Sequence, residues 1–566
     1  MERPAAHTSA ETPHAVERLL SGFPRRRDEL LPVLLAVHAE AGWLSEAALS
    51  AVARHVRVPD SEAYGVATSY SELTFTAPEG ERVGVCTGLS CLLAGAGALA
   101  DVLVSSLPAG WALERQPCRF RCDRAPTVYV RGGYVDEAKP AAIMAAVMEP
   151  DTVAAGERAI SPIRQGEVRR LLRRCGTVDP ASIDDAIAAG AYAAWARART
   201  MAPDAIIEEV ERAGLRGRGG AYFPAATKWK ATRAHPAPRY LVVNAEEGEP
   251  AVFKDRVLME LDPHLLVEGL LIAARAIEPA EVYVYVNGEA ETSAARLLRA
   301  VEDARGRGFI DAGTPPIAVR RGAGGYVCGE ESVIVSSIEG HRAVPRLRPP
   351  FPVDAGLWGR PTVINNVETL CNLPLIVTEG ADAFRGCGTP EFPGTKLVCV
   401  SGAVRAPGVY EVPFGTALRH VIEVCAGGPV PGKDMRAVLC GGPSGTLLPP
   451  GGLDVPLVPG GLDESGASPG AGGIVVIDES MSIREVVRHL TAYNARESCG
   501  KCTPCREGTA RMRDVLDGPG ADALERLDEL AEAVGAASLC GLGQMAPLPY
   551  LSARRHFADQ FLEARS

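Results

Sequence analysis

Apolar residues recur at helical spacing over residues 16–56, where Leu30, Leu31, Val33, Leu34, Val37 and Leu44 form one stripe. Ser45 and Glu46 open a second amphipathic run within that stretch. Over residues 82–148 the pattern changes to short strands, loops and helices, with strand runs at 83–85 and 127–130. Residues 164–174 read as a basic helix, and Asp179-Pro180-Ala181-Ser182 caps another that runs toward Arg199. From 202 to about 373 helix and strand alternate, with strands expected at 240–243, 281–286, 317–320 and 362–364. Residues 395–478 turn to short β-runs (397–402, 409–412, 474–477) among Gly/Pro turns, and 449–472 reads as an exposed loop. Residues 482–565 are helical in pattern. The fold class is α/β multidomain, with units expected at 1–150, 151–200, 201–392, 393–480 and 481–566.

Length agrees: 566 residues exceed what one core organises. A hydrophobic content of 46% with 5% aromatics describes an ordinary globular chain, and a net charge of −11 argues against a nucleic-acid partner. The most apolar stretch, 265–276, carries Glu268 and Arg275, so no direct membrane insertion is expected. The polar first thirteen residues do not read as a signal peptide. With fifteen cysteines this points to a reducing, cytoplasmic location.

Eight of those cysteines carry the chemistry. Cys499, Cys502 and Cys505 stand at i, i+3 and i+6, and Cys540 follows in Ser538-Leu539-Cys540-Gly541. Three thiolates from one turn and a fourth from elsewhere suit a [4Fe–4S] cluster, whereas zinc usually takes two separated ligand pairs. Cys86 and Cys91, then Cys118 and Cys122, form C-x4-C and C-x3-C pairs at expected strand ends. That spacing suits a [2Fe–2S] cluster, with a disulfide as the alternative.

Gly217-Arg218-Gly219-Gly220 sits among Arg216, Arg218 and Lys228, and its backbone N–H groups suit a phosphate. A helix precedes it and Tyr222 occupies the third glycine position, so it is not an ordinary dinucleotide turn. The run from Asn244 through Glu246 and Glu247 follows a strand and offers carboxylates for ribose or the polar edge of a ring. Gly329-Glu330-Glu331 opens a helix, where carboxylates answer the helix dipole or hold a ribose 2′-hydroxyl. Asn365 and Asn366 stand at another strand-to-helix junction. The stiff segment 345–352 presents Phe351.

Together these strings resemble the NADH-binding flavoprotein subunit of respiratory complex I and of related diaphorases. They are Gly217–Gly220 with Phe223-Pro224, Lys228-Trp229, Asn244 through Arg256, Cys328 through Glu331, 345–352, Asn365-Asn366, 497–507 and 538–544. The resemblance covers about 165–560. The first 150 residues resemble the thioredoxin-like [2Fe–2S] subunit, through Gly65-Val66-Ala67-Thr68, Cys86-Thr87-Gly88 and 122–126.

The resemblance implies a Rossmann-like FMN domain, a ubiquitin-like β-grasp domain and a helical bundle with the [4Fe–4S] site. It implies that Gly217, Arg218, Gly219, Gly220 and Lys228 bind the FMN phosphate region, and that Asn244, Asn365, Asn366 and Thr369 meet the flavin. Glu246, Glu247, Glu330 and Glu331 would serve NADH and parts of the flavin, with Gly329 also in the cofactor site and Phe223 and Phe351 stacking on the adenine side. The implied activity is exchange of hydride between NAD(H) and FMN and of single electrons with the clusters; no protein nucleophile is implied. Three residues depart from the family pattern: Glu246 for Asp, Tyr222 for Gly and Ala231 for an aromatic. The interval from Cys91 to Cys118 is also short. Fusion of both modules in one chain looks like the soluble diaphorases of NAD-dependent formate dehydrogenases and NAD-reducing hydrogenases; formate dehydrogenase is favoured on family analogy, with a molybdenum or tungsten catalytic subunit and further Fe–S subunits as partners. The alternatives are the equivalent module of an NAD-reducing hydrogenase or of complex I, an electron-bifurcating flavoprotein, and a non-catalytic Fe–S scaffold.

Overall fold

A computed structural model of the chain describes residues 13–149, 158–160, 162–459, 469–518 and 523–562. The expected N-terminal stripe forms helices Leu30–Ala41 and Glu46–Val56, whose buried faces include Leu30, Leu34, Val37 and Val52. Ser45 caps the second, its hydroxyl accepting from the Ala48 N–H at 3.1 Å. The first sheet follows, built from β1 (Glu81–Cys86), β2 (Trp111–Gln116), β3 (Val128–Val130) and β4 (Gly133–Val135) in the order β2-β1-β3-β4. Strands β1 and β2 are parallel, and the remaining pairs are antiparallel.

The second sheet contains β5 (Tyr240–Ala245), β6 (Glu281–Val286), β7 (Ile317–Arg321) and β8 (Thr362–Asn366). All its pairs are parallel, in the order β7-β6-β5-β8. Parallel strands need long crossovers, and helices such as Pro263–Ile277 and Glu291–Gly306 supply them. Leu241, Val242, Val243, Val282 and Val284 are fully buried, as a covered parallel sheet requires. The strand order reverses between β5 and β8. The carboxyl ends of those two strands therefore open a crevice, the usual ligand position in such sheets.

The third sheet is β10-β9-β13-β11-β12, from β9 (Thr395–Gly402), β10 (Gly408–Pro413), β11 (Met435–Cys440), β12 (Thr446–Leu448) and β13 (Gly473–Asp478). Helices Ile483–Arg496, Thr503–Asp517, Ala523–Ala537 and Leu548–His556 complete the chain. Ser482 and Glu485 form a reciprocal capping box that starts the first of these. No helix among the described residues is long and apolar enough to cross a membrane.

Two expectations are corrected. Residues 164–174 are turns and extended chain rather than a helix. Their N–H groups find long-range partners: Arg170, Leu171 and Leu172 donate to the buried Glu411 carboxylate at 2.8, 2.9 and 3.1 Å. Arg174 grips Asp262 through two bonds of 2.8 and 3.0 Å. Carboxylates distant in sequence thus replace the intrahelical bonds that the arginine-rich stretch would otherwise make. The helix capped by Ser182 ends at Ala188 and resumes only at Ala193, because Gly190 and Tyr192 adopt φ of 90° and 64°. The segment 449–472 is described as far as 459 and from 469; the rest of that expected loop lies outside the described residues.

Candidate redox-cofactor site

The first cysteine quartet gathers where the first sheet ends. Cys86 closes β1, Cys91 lies in the short helix Leu89–Leu93, and Cys118 and Cys122 follow β2. All four are buried, and the Cys118 and Cys122 sulfurs lie 3.5 Å apart. None of the fifteen cysteines is in a disulfide, which removes that alternative. The Phe120 N–H points at Cys118 Sγ at 3.3 Å and the Gly88 N–H at Cys86 Sγ at 3.5 Å, donors suited to a thiolate. For Cys118 the neighbouring thiols pull in opposite directions, Cys122 down and Cys86 up, and burial then lifts it to about 12. Four such groups ionise together only around compensating positive charge, which a [2Fe–2S] cluster supplies.

Cys499, Cys502, Cys505 and Cys540 line one cavity with Val327, Pro345, Leu539 and Leu542. Cys502 and Cys505 flank the start of helix Thr503–Asp517, and Cys540 precedes helix Gly541–Met545. Cys505 is buried and the other three are half-buried. Among the described residues no three His, Cys, Asp or Glu side chains close on a point that would hold a single metal ion. Four soft thiolates around an apolar gap fit a cubane cluster rather than a tetrahedral zinc.

The remaining expected residues meet at the carboxyl ends of β5 and β8. Asn244, in β5, donates to the Gly329 carbonyl at 3.0 Å. Glu246 Oε1 accepts from Asn287 at 2.6 Å, while its buried Oε2 has no partner. A Cβ on Gly329 would stand 3.3 Å from that oxygen, so the glycine keeps its approach open. Burial pushes the Glu246 carboxyl up to about 8. A buried carboxylate with one unsatisfied oxygen fits a ligand that brings an N–H or O–H donor, as a flavin ring or a ribose does.

Glu247 is turned differently: its carboxylate accepts the Asp255 and Arg256 N–H groups at 2.7 and 3.0 Å and caps helix Lys254–Leu261. Asn365 Oδ1 accepts from Trp229 Nε1 at 2.8 Å, and Asn366 donates to Asp255 at 2.6 Å while capping the Glu368 N–H. Gly219 packs against Asn366, whose Cβ would lie 3.2 Å from an added methyl. Thr369 Oγ1 accepts the Arg218 N–H at 2.9 Å. Lys228 pairs with Glu331, and Glu330 caps helix Glu331–Ile338 and pairs with Arg348. Phe223 and Phe351 are half exposed; helix Pro352–Ala355, just after Phe351, packs on helix Ala225–Arg233, just after Phe223.

Arg218 is the one whose side chain lies elsewhere. Its guanidinium is buried and donates to the carbonyls of Thr395, Pro393 and Arg216 at 3.1, 2.8 and 2.8 Å. Its backbone, not its charge, faces Thr369, and Lys228 is the cation that stands at the crevice. Two further features are not legible in the sequence pattern. Asn287, just beyond β6, orients Glu246; its place after a strand end is the available signal. Beneath the loop, Lys254 and Lys396 both reach Glu368 Oε2, at 3.0 and 2.6 Å, and Lys396 also donates to the Arg218 carbonyl at 3.2 Å.

Fold and site together define an iron–sulfur flavoprotein oxidoreductase. Residues 210–375 match the model of the Nuo51 FMN-binding domain and 485–564 that of the NADH-ubiquinone oxidoreductase-F iron–sulfur binding region. Residues 16–150 match the thioredoxin-like [2Fe-2S] ferredoxin and 397–447 the SLBB domain. The F 2 subunit of NADH-quinone oxidoreductase of Rhizobium meliloti (strain 1021) is 43% identical over 69% of this chain and 96% of its own length. The HndC subunit of the NADP-reducing hydrogenase of Solidesulfovibrio fructosivorans is 42% identical over 70% of this chain and 83% of its own. A solved NAD+-reducing [NiFe]-hydrogenase chain, in the H2-reduced state, superposes with a TM-score of 0.82 at 33% identity, covering 95% of this chain and 92% of that one. The chain belongs to the family of NADH-quinone oxidoreductase F subunits and hydrogenase diaphorase subunits. It is an NADH dehydrogenase flavoprotein, a diaphorase module with FMN, [4Fe–4S] and [2Fe–2S] groups and NAD(H) as substrate.

Proposed function

We propose that this module serves an NAD-dependent complex whose second substrate is handled by a partner subunit, and that FMN and NAD(H) share the crevice between β5 and β8. The observation that carries this reading is the buried Glu246 oxygen left without a partner beside Gly329, whose carbonyl takes the Asn244 amide at the end of β5. The Gly219 and Gly220 backbone, with Lys228, holds the FMN phosphate, and Gly217 and Arg218, whose N–H groups go to Phe223 and Thr369, shape the loop that presents it. Asn244, Asn365, Asn366 and Thr369 bound the flavin. Glu246, Glu247, Gly329, Glu330 and Glu331 bound the nicotinamide nucleotide, and Phe223 and Phe351 stack on its adenine. Cys86, Cys91, Cys118 and Cys122 hold the [2Fe–2S] cluster; Cys499, Cys502, Cys505 and Cys540 hold the [4Fe–4S] cluster. When bound, these groups supply the interconversion of hydride and single-electron transfer, and the chain supplies position, charge and exclusion of water.

We read the second sheet as the Rossmann-like FMN domain (201–392), the third as a β-grasp domain (393–480), and the flanking units as 1–150, a 151–200 linker and a 481–566 helical domain. Fifteen cysteines without a disulfide support a reducing, cytoplasmic setting. The partner we favour is a molybdenum or tungsten formate dehydrogenase, on family analogy alone. A second reading, a hydrogenase partner, draws on the 95% coverage by the NAD+-reducing hydrogenase chain. Purifying the native complex through this chain separates them. Formate-driven NAD+ reduction is expected; H2-driven reduction without response to formate would establish the hydrogenase partner instead.

A further inference from the structure

Tyr222 lies just past the Gly217–Gly220 loop, and its surroundings give it a physical role. Its backbone is held at φ 53°, left-handed territory that strains a residue with a Cβ. Side-chain contacts hold it there. The ring is buried and meets Phe414 edge-on, with centroids 6.0 Å apart. The hydroxyl donates to the Gly470 carbonyl at 2.8 Å. Gly470 belongs to the segment leading into β13, so the bond ties the glycine loop to the neighbouring β-rich domain.

The same two segments touch again two residues earlier. A Cβ on Gly220 would lie 3.3 Å from the Ala471 nitrogen and the Gly470 carbonyl carbon, and Gly220 has φ 117°. Arg216 also lies over the Phe392 ring and Arg218 over Phe414, at 5.0 and 4.6 Å. The loop is therefore clamped along its outer side by 392–414 and 470–471. Its inner side is set by Thr369 and Asn366.

We propose that Tyr222 is a positioning residue for FMN: a latch between the glycine loop and the Gly470 carbonyl that keeps the Gly219 and Gly220 N–H groups aimed at the flavin phosphate and slows flavin release. This rests on the assignment of the Gly217–Gly220 loop to the FMN phosphate. Released from Gly470, the backbone at 222 relaxes toward negative φ and turns the adjacent N–H groups. Binding must then re-form the loop, and affinity falls by that cost of preorganisation.

The test compares FMN release from the purified holoprotein, followed by the rise of free-flavin fluorescence on dilution, in three variants. Tyr222→Phe keeps the ring and loses one hydrogen bond worth about 1 kcal/mol, so release is expected to be about fivefold faster. Tyr222→Ala keeps the strained backbone without either anchor, and a larger acceleration, on the order of fiftyfold, is expected. Gly219→Ala reports on the loop itself, because its methyl crowds Asn366. Iron content and the KM for NADH are expected to be unchanged in Tyr222→Phe; a purely structural role would lower the melting temperature of FMN-free and FMN-loaded protein alike and leave FMN release at the wild-type rate. Wild-type release from Tyr222→Phe together with weakened FMN binding in Gly219→Ala would overturn the latch. Wild-type FMN binding in Gly219→Ala as well would overturn the phosphate-site assignment beneath it.

Discussion

Cys505→Ala is expected to remove the [4Fe–4S] cluster while leaving the chain folded. Cys505 is the most buried thiolate of its quartet and lies in the first turn of helix Thr503–Asp517. Alanine is the best helix former, so the helix survives while one corner of the cubane loses its ligand. Iron and acid-labile sulfide should fall by the content of one cubane. Flavin absorbance should still bleach with NADH, but electron delivery to the partner subunit should stop. Because Cys502 and Cys540 flank the same cavity, their alanine variants should behave alike. Full iron content in Cys505→Ala would place the cluster elsewhere.

Glu368→Gln is expected to lower stability by about 3–5 kcal/mol, the cost of leaving buried charges without their partner. Glu368, Lys254 and Lys396 are all essentially inaccessible to water. Lys254 retains Asp255 at 2.8 Å, but Lys396 keeps only the Arg218 carbonyl. Because that carbonyl belongs to the glycine loop, the variant should also bind FMN weakly. Burial pushes the Glu368 carboxyl up, yet Lys396 and Lys254 overcome it and hold the group below its ordinary 4.5. A carboxyl depressed in the folded state contributes fully above pH 4.5, and its contribution is lost as pH falls through the lower folded value. Denaturant midpoints should show that acid limb in the parent chain and a weaker one in Glu368→Gln. An unchanged midpoint at neutral pH would refute the ion network.

The cysteine quartets are legible in sequence because their spacing is local: C-x2-C-x2-C keeps three thiols within seven residues whatever surrounds them. The strands of the second sheet are legible because a parallel sheet buried on both faces writes unbroken apolar runs such as Leu241-Val242-Val243. What escapes depends on partners far away in the chain. Residues 164–174 carry helical composition, yet their N–H groups go to Glu411, 239–241 positions later. Arg218 resembles a phosphate ligand by proximity to glycines, but Thr395 and Pro393 take its guanidinium. Lys396 and Glu368 lie 28 residues apart, and no local pattern announces their pairing. The candidate nucleotide residues fall between these cases: strand ends point to Asn244 and Asn366, while only the assembled sheet pairs them.

The measurement that bears most directly on the whole account is an anaerobic titration of the purified chain with NADH, followed by its visible spectrum. Stoichiometric bleaching of flavin and iron–sulfur absorption, with NADPH far less effective, is the expected result. Iron–sulfur absorption without flavin, and without response to NADH, would contradict it and leave a cluster-bearing scaffold.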